Sequence, residues 1–305
     1  MKRKDFVSIR DWSTEELNEA LAVALAVKAD PLKYSKRLEG QALAMIFEKP
    51  SLRTRVTFDV GIHQLGGYSL CLTQGEISLG KRETVGDVAK NLERMVQGIM
   101  IRTFSHENVR TMAEEASIPV INGLTDFSHP CQAMADYMTI LELKGSLQSL
   151  KIAYIGDGNN VAHSLIYGAA RFGAHLVVAS PSGYAPSPEV VKWAQENAGS
   201  TGCRLEILQD PMAAAEGADV IYTDVWTSMG LESEAAKRRN VFRPYQVNDS
   251  LAGHAKSDYI FMHCLPAHRG EEVSDSVIDS VHSVVFQQAE NRLHAQKAIM
   301  LALMA

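Results

Sequence analysis

Nine apolar runs of four to six residues recur along the chain, at 42–46, 68–72, 98–102, 118–121, 151–155, 175–180, 204–208, 219–223 and 259–262. Between many of them lie segments whose apolar residues repeat at helical spacing, at 84–95, 106–116, 130–143, 160–171, 188–197 and 211–216. Runs this short, bounded by polar turns, predict buried strands. Strands that alternate with helices predict parallel sheets covered on both faces, an α/β fold. After the fourth run, Lys144-Gly145-Ser146-Leu147-Gln148-Ser149-Leu150 interrupts the alternation, which then restarts. A chain of 305 residues is long for one core. Two parallel-sheet α/β domains are therefore expected, one over 1–145 and one over 150–287. A last amphipathic helix, at about 288–304, is expected to fold back and complete the first domain, and Ser13 with Glu16 predicts a capped opening helix carrying Leu17, Leu21, Ala24 and Leu25.

Parallel sheets open their crevices at the C-terminal ends of strands. The residues with most chemical potential fall there. After the first run comes Phe47-Glu48-Lys49-Pro50-Ser51-Leu52-Arg53-Thr54-Arg55, leading into helical spacing from Val56 to Leu65. At such a junction the first N–H groups of the helix lack intrahelical partners and the dipole is positive, which suits an anion. Ser51 and Thr54 add hydroxyls, and the planar guanidinium groups of Arg53 and Arg55 match phosphate or carboxylate oxygens. An ordinary capped helix behind a basic loop accounts for the same residues. Arg102 ends the third run, His129-Pro130-Cys131-Gln132 follows the fourth, Asp224 follows the eighth and His263-Cys264-Leu265-Pro266 closes the ninth. A site between the domains explains this distribution economically.

Composition narrows the classes. A net charge of −6 opposes non-specific nucleic-acid binding, while a local basic site stays compatible with it. No apolar run is long enough to span a membrane, and Met1-Lys2-Arg3-Lys4-Asp5 lacks the apolar core of a signal peptide, so a cytoplasmic protein is expected. Cys71, Cys131, Cys203 and Cys264 are scattered without paired spacing, which disfavours disulfide scaffolds and zinc ribbons.

Three tempting motifs have simpler readings. Gly156-Asp157-Gly158-Asn159-Asn160-Val161 follows a strand and opens a helix, yet the third glycine of a dinucleotide fingerprint is missing and the next strand ends in Ala179-Ser180. Asn159 and Asn160 can cap the helix, and the Asn160 amide can also serve a zwitterionic ligand. His263 cannot readily act as base for Cys264, because adjacent strand residues point to opposite faces. Cys264 reads equally as a buried structural thiol, and a zinc site from Cys264, His268 and Cys131 has no compact spacing behind it. Asp224, followed by Ser228-Met229-Gly230-Leu231, can hold a cation beneath a closing loop or can cap a helix.

In combination, Ser51-Leu52-Arg53-Thr54-Arg55, His129-Pro130-Cys131-Gln132, Asp224 with Ser228-Met229-Gly230, and His263-Cys264-Leu265-Pro266 resemble the aspartate and ornithine carbamoyltransferase family over nearly the whole chain. The Ser-Met-Gly loop and Cys264 resemble its ornithine branch. The resemblance implies transfer of a carbamoyl group from carbamoyl phosphate to the δ-amine of L-ornithine, giving citrulline and phosphate without metal or organic cofactor. It implies that Ser51, Leu52 through its backbone, Arg53, Thr54, Arg102, His129, Gln132 and Arg292 hold carbamoyl phosphate. Cys264 and Leu265 are implied at the reacting centre, and Asn160, Asp224, Ser228 and Met229 around ornithine. Arg102, His129, Asp224 and Cys264 are the implied catalytic residues. Ser78 lies in a loop, 77–83, similar to one that reaches a neighbouring subunit's site in family trimers, so a homotrimer is implied, with neither nucleic acid nor membrane as partner. Two departures stand out: Leu52 occupies a position that is commonly threonine, and Arg82, not lysine, lies four residues after Ser78. The competing expectations are transfer to putrescine or an acylated ornithine, and a catalytically silent anion-binding relative.

Overall fold

A computed structural model describes residues 4–305 of the chain. Met1, Lys2 and Arg3 of the charged start lie outside the described residues. The chain divides into two units, one running through Met138 and resuming at Glu290–Ala305, the other spanning Thr139–Ala289. Both changes of unit fall inside helices, Pro130–Lys144 and Val285–Met304. The sequence expectation set the boundary in the 144–150 stretch. That stretch marks where the first of these helices ends, with Gly145 at φ +74°, and a change in packing partners within a continuous helix leaves no such break in composition.

The first unit carries a four-stranded parallel sheet of β1 (Ala42–Phe47), β2 (Tyr68–Thr73), β3 (Gly98–Arg102) and β4 (Val120–Leu124), in the order β2-β1-β3-β4. Every residue of β1, β3 and β4 is buried, whereas the edge strand β2 is partly exposed along its length. Burial of β1, β3 and β4 against Val88, Val109 and Met112 builds one core, and each such side chain contributes about 1.5–3 kcal/mol on removal from water. The fourth apolar run begins two residues early in the sequence expectation. Pro119 has no N–H for the ladder, so the strand starts after it.

The second unit carries a five-stranded parallel sheet of β5 (Lys151–Ile155), β6 (His175–Ala179), β7 (Arg204–Leu208), β8 (Val220–Thr223) and β9 (Ile260–His263), in the order β7-β6-β5-β8-β9. Ala153, Ile155, Val177, Ile221 and Phe261 form its core together with Val247 and Val273. The fold class is thus α/β with two parallel sheets, as the alternation of runs predicts. Four helices lacked a sequence signal: Gln74–Ile77, Ala235–Phe242, Asp249–Ala252 and Asp275–Ile278. Three are only one turn long, and Ala235–Phe242 carries too few apolar residues for a stripe. Among the described residues, no helix is long and apolar enough to cross a membrane.

Strand order decides where each sheet can hold a ligand. In the first sheet the connections leave β1 and β3 in opposite directions, and Phe47 pairs with Arg102 at their C-terminal ends. In the second, the corresponding switch lies between β5 and β8, where Tyr154 pairs with Tyr222. Crevices at such switch points are the usual binding places of open α/β sheets.

Candidate active site

At the first switch point, β1 runs through Glu48-Lys49-Pro50 into the helix Leu52–Gln64, and Ser51 is its N-cap, with Oγ accepting the Thr54 N–H at 3.2 Å. The cap takes one N–H and leaves the other helix-start N–H groups for a ligand. Leu52, the first helical residue, directs its side chain to solvent at 76% exposure, so only its backbone faces the helix start. Arg55 is exposed as well, and the arginines that converge are others. Thr54 is fully buried, and its Oγ1 accepts from Arg292 Nη2 at 2.7 Å and from Arg102 Nη1 at 3.4 Å. Arg102 comes from the end of β3 and Arg292 from the helix Val285–Met304. Three distant segments therefore meet on one hydroxyl.

His129, buried before the helix Pro130–Lys144, titrates well below the usual histidine range. Burial is the main cause, and the charges of Arg292, Arg102 and Arg53 act in the same sense. It is therefore a neutral imidazole near pH 7, able to donate from one nitrogen and accept at the other. The same result places Arg53 within electrostatic reach of the cluster. Gln132 is buried in the first helical turn, where Nε2 donates to Asp136 Oδ1 at 2.8 Å and Oε1 has no hydrogen-bond partner among the described residues. Cys131, beside it, donates to the Asn122 carbonyl, and burial pushes its thiol up to about 12. That is an inert structural thiol. Two buried guanidinium groups, Arg102 and Arg292, beside a helix start are chemically suited to a compact polyanion.

Ser78 ends the short helix Gln74–Ile77 in the left-handed region, at φ +48°, and its Oγ donates to the Gln74 carbonyl at 3.1 Å. Among the described residues it makes no hydrogen bond to the arginine cluster. Lys81, Arg82 and Glu83 after it are exposed.

The second switch point holds a different chemistry. Asn159 caps the helix Asn160–Phe172, with Oδ1 accepting from Val161 N and Ala162 N, and its Nδ2 donates to Asp224 Oδ2 at 2.7 Å. Asp224 follows β8 and is 4% exposed. Its Oδ1 accepts from the Cys264 thiol at 2.8 Å and from Val225 N at 2.8 Å. Three donors thus fix one carboxylate. Cys264 follows β9 and acts as a donor. His263 does not serve it: His263 Nδ1 accepts from Leu265 N at 2.8 Å, and Nε2 lies 3.1 Å from Glu272 Oε1. With both ring nitrogens committed, His263 does not complete a metal site with Asp224 and Cys264, although the three ligand atoms lie within 4.8 Å of one another.

Ser228 and Met229 sit in an open turn after Asp224, with Leu231 N donating to Ser228 O at 3.0 Å and Met229 exposed. The start of this turn is tied down by Arg238, whose Nε donates to the Trp226 carbonyl and whose Nη2 pairs with Asp157. The guanidinium also lies 4.8 Å from the Tyr184 ring centroid. Burial raises the Asp157 carboxyl to about 6, while Arg238 acts in the opposite sense. Gly158 is required by packing: a Cβ there would stand 2.2 Å from Pro186 N. The glycines of this loop therefore serve the fold and do not need a dinucleotide to explain them.

Asp224, Asn160 and Cys264 stand out at the strand ends in the sequence, whereas the supporting roles of Asn159, Arg238 and Glu272 emerge only in the structure. Asn159 was legible only as a cap. The Arg238 and Glu272 contacts span 81 residues to Asp157 and 9 to His263, and neither helix nor strand periodicity announces them.

Comparison with known proteins identifies the family. Residues 4–142 match the family model of the aspartate/ornithine carbamoyltransferase carbamoyl-P binding domain, and residues 148–303 match that of the Asp/Orn binding domain. An ornithine carbamoyltransferase of Thermococcus kodakarensis is 58% identical over 303 residues, covering 99% of this chain and 96% of that protein. An anabolic ornithine carbamoyltransferase of Pyrococcus furiosus is 54% identical over 303 residues, again with 99% and 96% coverage. The solved structure of the ornithine carbamoyltransferase from Pyrococcus furiosus superposes with a TM-score of 0.96 at 53% identity, covering 99% of this chain and 97% of that one.

Proposed function

Because the chain belongs to the aspartate/ornithine carbamoyltransferase family, we propose that the arginine cluster of its first unit binds carbamoyl phosphate and the Asp224–Cys264 cluster of its second unit binds L-ornithine. The activity is carbamoyl transfer to the δ-amine, giving citrulline and phosphate, a step of arginine metabolism. The observation that carries the site assignment is the convergence of Arg102 and Arg292 on buried Thr54, at a helix start capped by Ser51.

The dianionic phosphate takes the helix N–H groups, Ser51, Thr54, Arg53 and Arg292. Arg102 and neutral His129 donate to the carbonyl oxygen, where negative charge grows as the carbon becomes tetrahedral. Gln132, whose Oε1 has no partner among the described residues, accepts from the carbamoyl amide. Asn160, Ser228 and Met229 surround ornithine, Asp224 attracts its cationic end, and Cys264 and Leu265 orient the reacting nitrogen. That nitrogen attacks the carbonyl carbon, the carbon–oxygen bond to phosphate breaks, and the departing phosphate accepts the amine proton.

Purified protein is expected to form citrulline from carbamoyl phosphate and ornithine, and to use putrescine and N-acetylornithine at least tenfold less well. Equal rates with those amines would reassign the second site. A lysine-like amine has a pKa of about 10.4, so the neutral nucleophile grows about tenfold per pH unit below that value. His129 is held well below its usual range by burial and by the charges of Arg292, Arg102 and Arg53. The rise in kcat/KM for ornithine over that range is thus set by the amine, and toward pH 6 by protonation of Asp157 as well. A flat profile would mean that the proton is lost elsewhere.

A homo-oligomer fits the surface of the first unit. Leu52, Val56 and Val60 recur along one side of the helix Leu52–Gln64 and are all exposed, as are Tyr68 and Leu70 on edge strand β2. Apolar patches and open strand edges of this kind are sites of association. We assign it to a homotrimer in which the 77–84 loop, including Ser78, reaches the neighbouring subunit's phosphate site, and place the enzyme in the cytoplasm. Light scattering of an active preparation should return three chain masses; an active monomer would refute the assembly.

A further inference from the structure

We propose that Glu272 is a positioning residue for the transfer, acting through His263 to hold Leu265 and Cys264 in their working conformation. Glu272 and His263 are both fully buried. Glu272 Oε1 accepts the His268 N–H at 2.5 Å and lies 3.1 Å from His263 Nε2. Across the ring, His263 Nδ1 accepts the Leu265 N–H at 2.8 Å. A backbone N–H can only donate, so Nδ1 is the acceptor, and Nε2 must carry the hydrogen that points at Glu272. The carboxylate thereby selects the tautomer that can hold Leu265.

Leu265 needs holding, because its φ of +57° lies in the left-handed region that a branched side chain occupies only under constraint. Its N–H is the group that His263 captures, so releasing His263 frees Leu265 to relax to an extended backbone. Cys264 lies between the two residues, and its thiol must reach Asp224 at 2.8 Å. The base of the arrangement is fixed independently: His263 N donates to Gln288 Oε1 at 2.9 Å, and Gln288 Nε2 donates to the Tyr222 hydroxyl at 3.1 Å. This geometry also separates positioning from proton transfer. Both ring nitrogens of His263 are taken by Leu265 and Glu272, and the Cys264 thiol donates to Asp224, so the imidazole is committed to holding the backbone.

The inference rests on the proposed placement of Cys264 and Leu265 at the reacting centre. Its test compares Glu272→Ala with Glu272→Gln in the intact enzyme. Gln keeps an acceptor at Oε1 and puts its amide where Glu272 Oε2 has no hydrogen-bond partner among the described residues. Glu272→Ala is expected to lower kcat by about 10- to 100-fold, the range for loss of a hydrogen bond to a charged group. Carbamoyl phosphate affinity by calorimetry, the far-UV spectrum and the shape of the pH profile should all stay unchanged. Glu272→Gln should recover the rate to within about threefold of the unmodified enzyme, because a neutral acceptor still selects the tautomer. Equal losses in Ala and Gln, or a displaced acid limb in Gln, would show that the charge takes part in proton transfer and would overturn the positioning role. An unimpaired Glu272→Ala enzyme would overturn it too. Absence of citrulline formation by the unmodified protein would instead defeat the functional reading beneath it.

Discussion

Asp224→Asn is expected to lower kcat/KM for ornithine by about 100-fold or more at every pH between 6 and 8, with carbamoyl phosphate affinity unchanged. Asp224 receives three donors, from Asn159 Nδ2, the Cys264 thiol and Val225 N. Asparagine has only one oxygen to offer. Whichever way the amide is turned, its NH2 faces a donor, either Asn159 or the pair on the other side. Loss of a charge-assisted hydrogen bond costs about 1.5–3 kcal/mol, and a buried donor left without an acceptor about 1–3 kcal/mol. At about 1.4 kcal/mol per tenfold in rate, the sum reaches two orders of magnitude.

The substitution also removes the charge that draws in the cationic amine. Asp224 cannot itself deprotonate that amine by its charge, since an anion stabilises the ammonium form. Only about one lysine-like amine in 2,500 is neutral at pH 7, so the site must select or favour that fraction by excluding water. Cys264→Ser is the informative companion: a hydroxyl still donates to Asp224, so KM should rise and kcat fall without loss of turnover. A dead Cys264→Ser enzyme, together with a carbamoylated Cys264 trapped by mass spectrometry in the unmodified protein, would replace direct attack with a covalent route. Equal kinetics of Asp224→Asn and the unmodified enzyme would remove Asp224 from the site.

The second large effect is expected at Arg102. Arg102→Ala should reduce kcat by about 10²- to 10³-fold, the cost of removing one preorganised donor from a developing oxyanion. Arg102 is 5% exposed at the end of β3, opposite Phe47 of β1, so its guanidinium is held in place before substrate arrives. Carbamoyl phosphate should still bind, since Arg53, Arg292 and the helix start remain. The dissociation constant for carbamoyl phosphate is therefore expected to change far less than kcat. A large loss of affinity with little change in kcat would move Arg102 from the carbonyl oxygen to the phosphate. The variant also leaves His129 with one positive neighbour fewer, which raises its pKa from a depressed value. Burial, the larger cause, persists, and the acid limb of the pH profile should stay set by the amine and by Asp157.

The family resemblance placed carbamoyl transfer in the sequence through four short motifs, but their spacing alone left several local readings open. Ser51 does cap its helix, the Gly156–Gly158 turn does serve packing, and both facts are compatible with a ligand-binding role nearby. Leu52 shows how such a departure is accommodated: its side chain points to solvent, so the change from the commoner threonine leaves the helix start intact.

The nine strands and most of the helices were legible from apolar periodicity, because that period records which side of each element must leave water. The chemistry of the strand ends was legible for a related reason: a polar or charged residue directly after a buried strand has a crevice as its natural place. Only the tertiary structure decided which of these residues touch. Thr54 meets Arg102 and Arg292 across separations of 48 and 238 residues, and Asn159 donates to Asp224 across 65. Strand order and register bring those groups within hydrogen-bonding distance, and both are properties of the assembled sheet. The pairing of His263 with Glu272 is of the same kind, for a hydrogen bond depends on position to within a few tenths of an ångström, and sequence spacing specifies position only within an element.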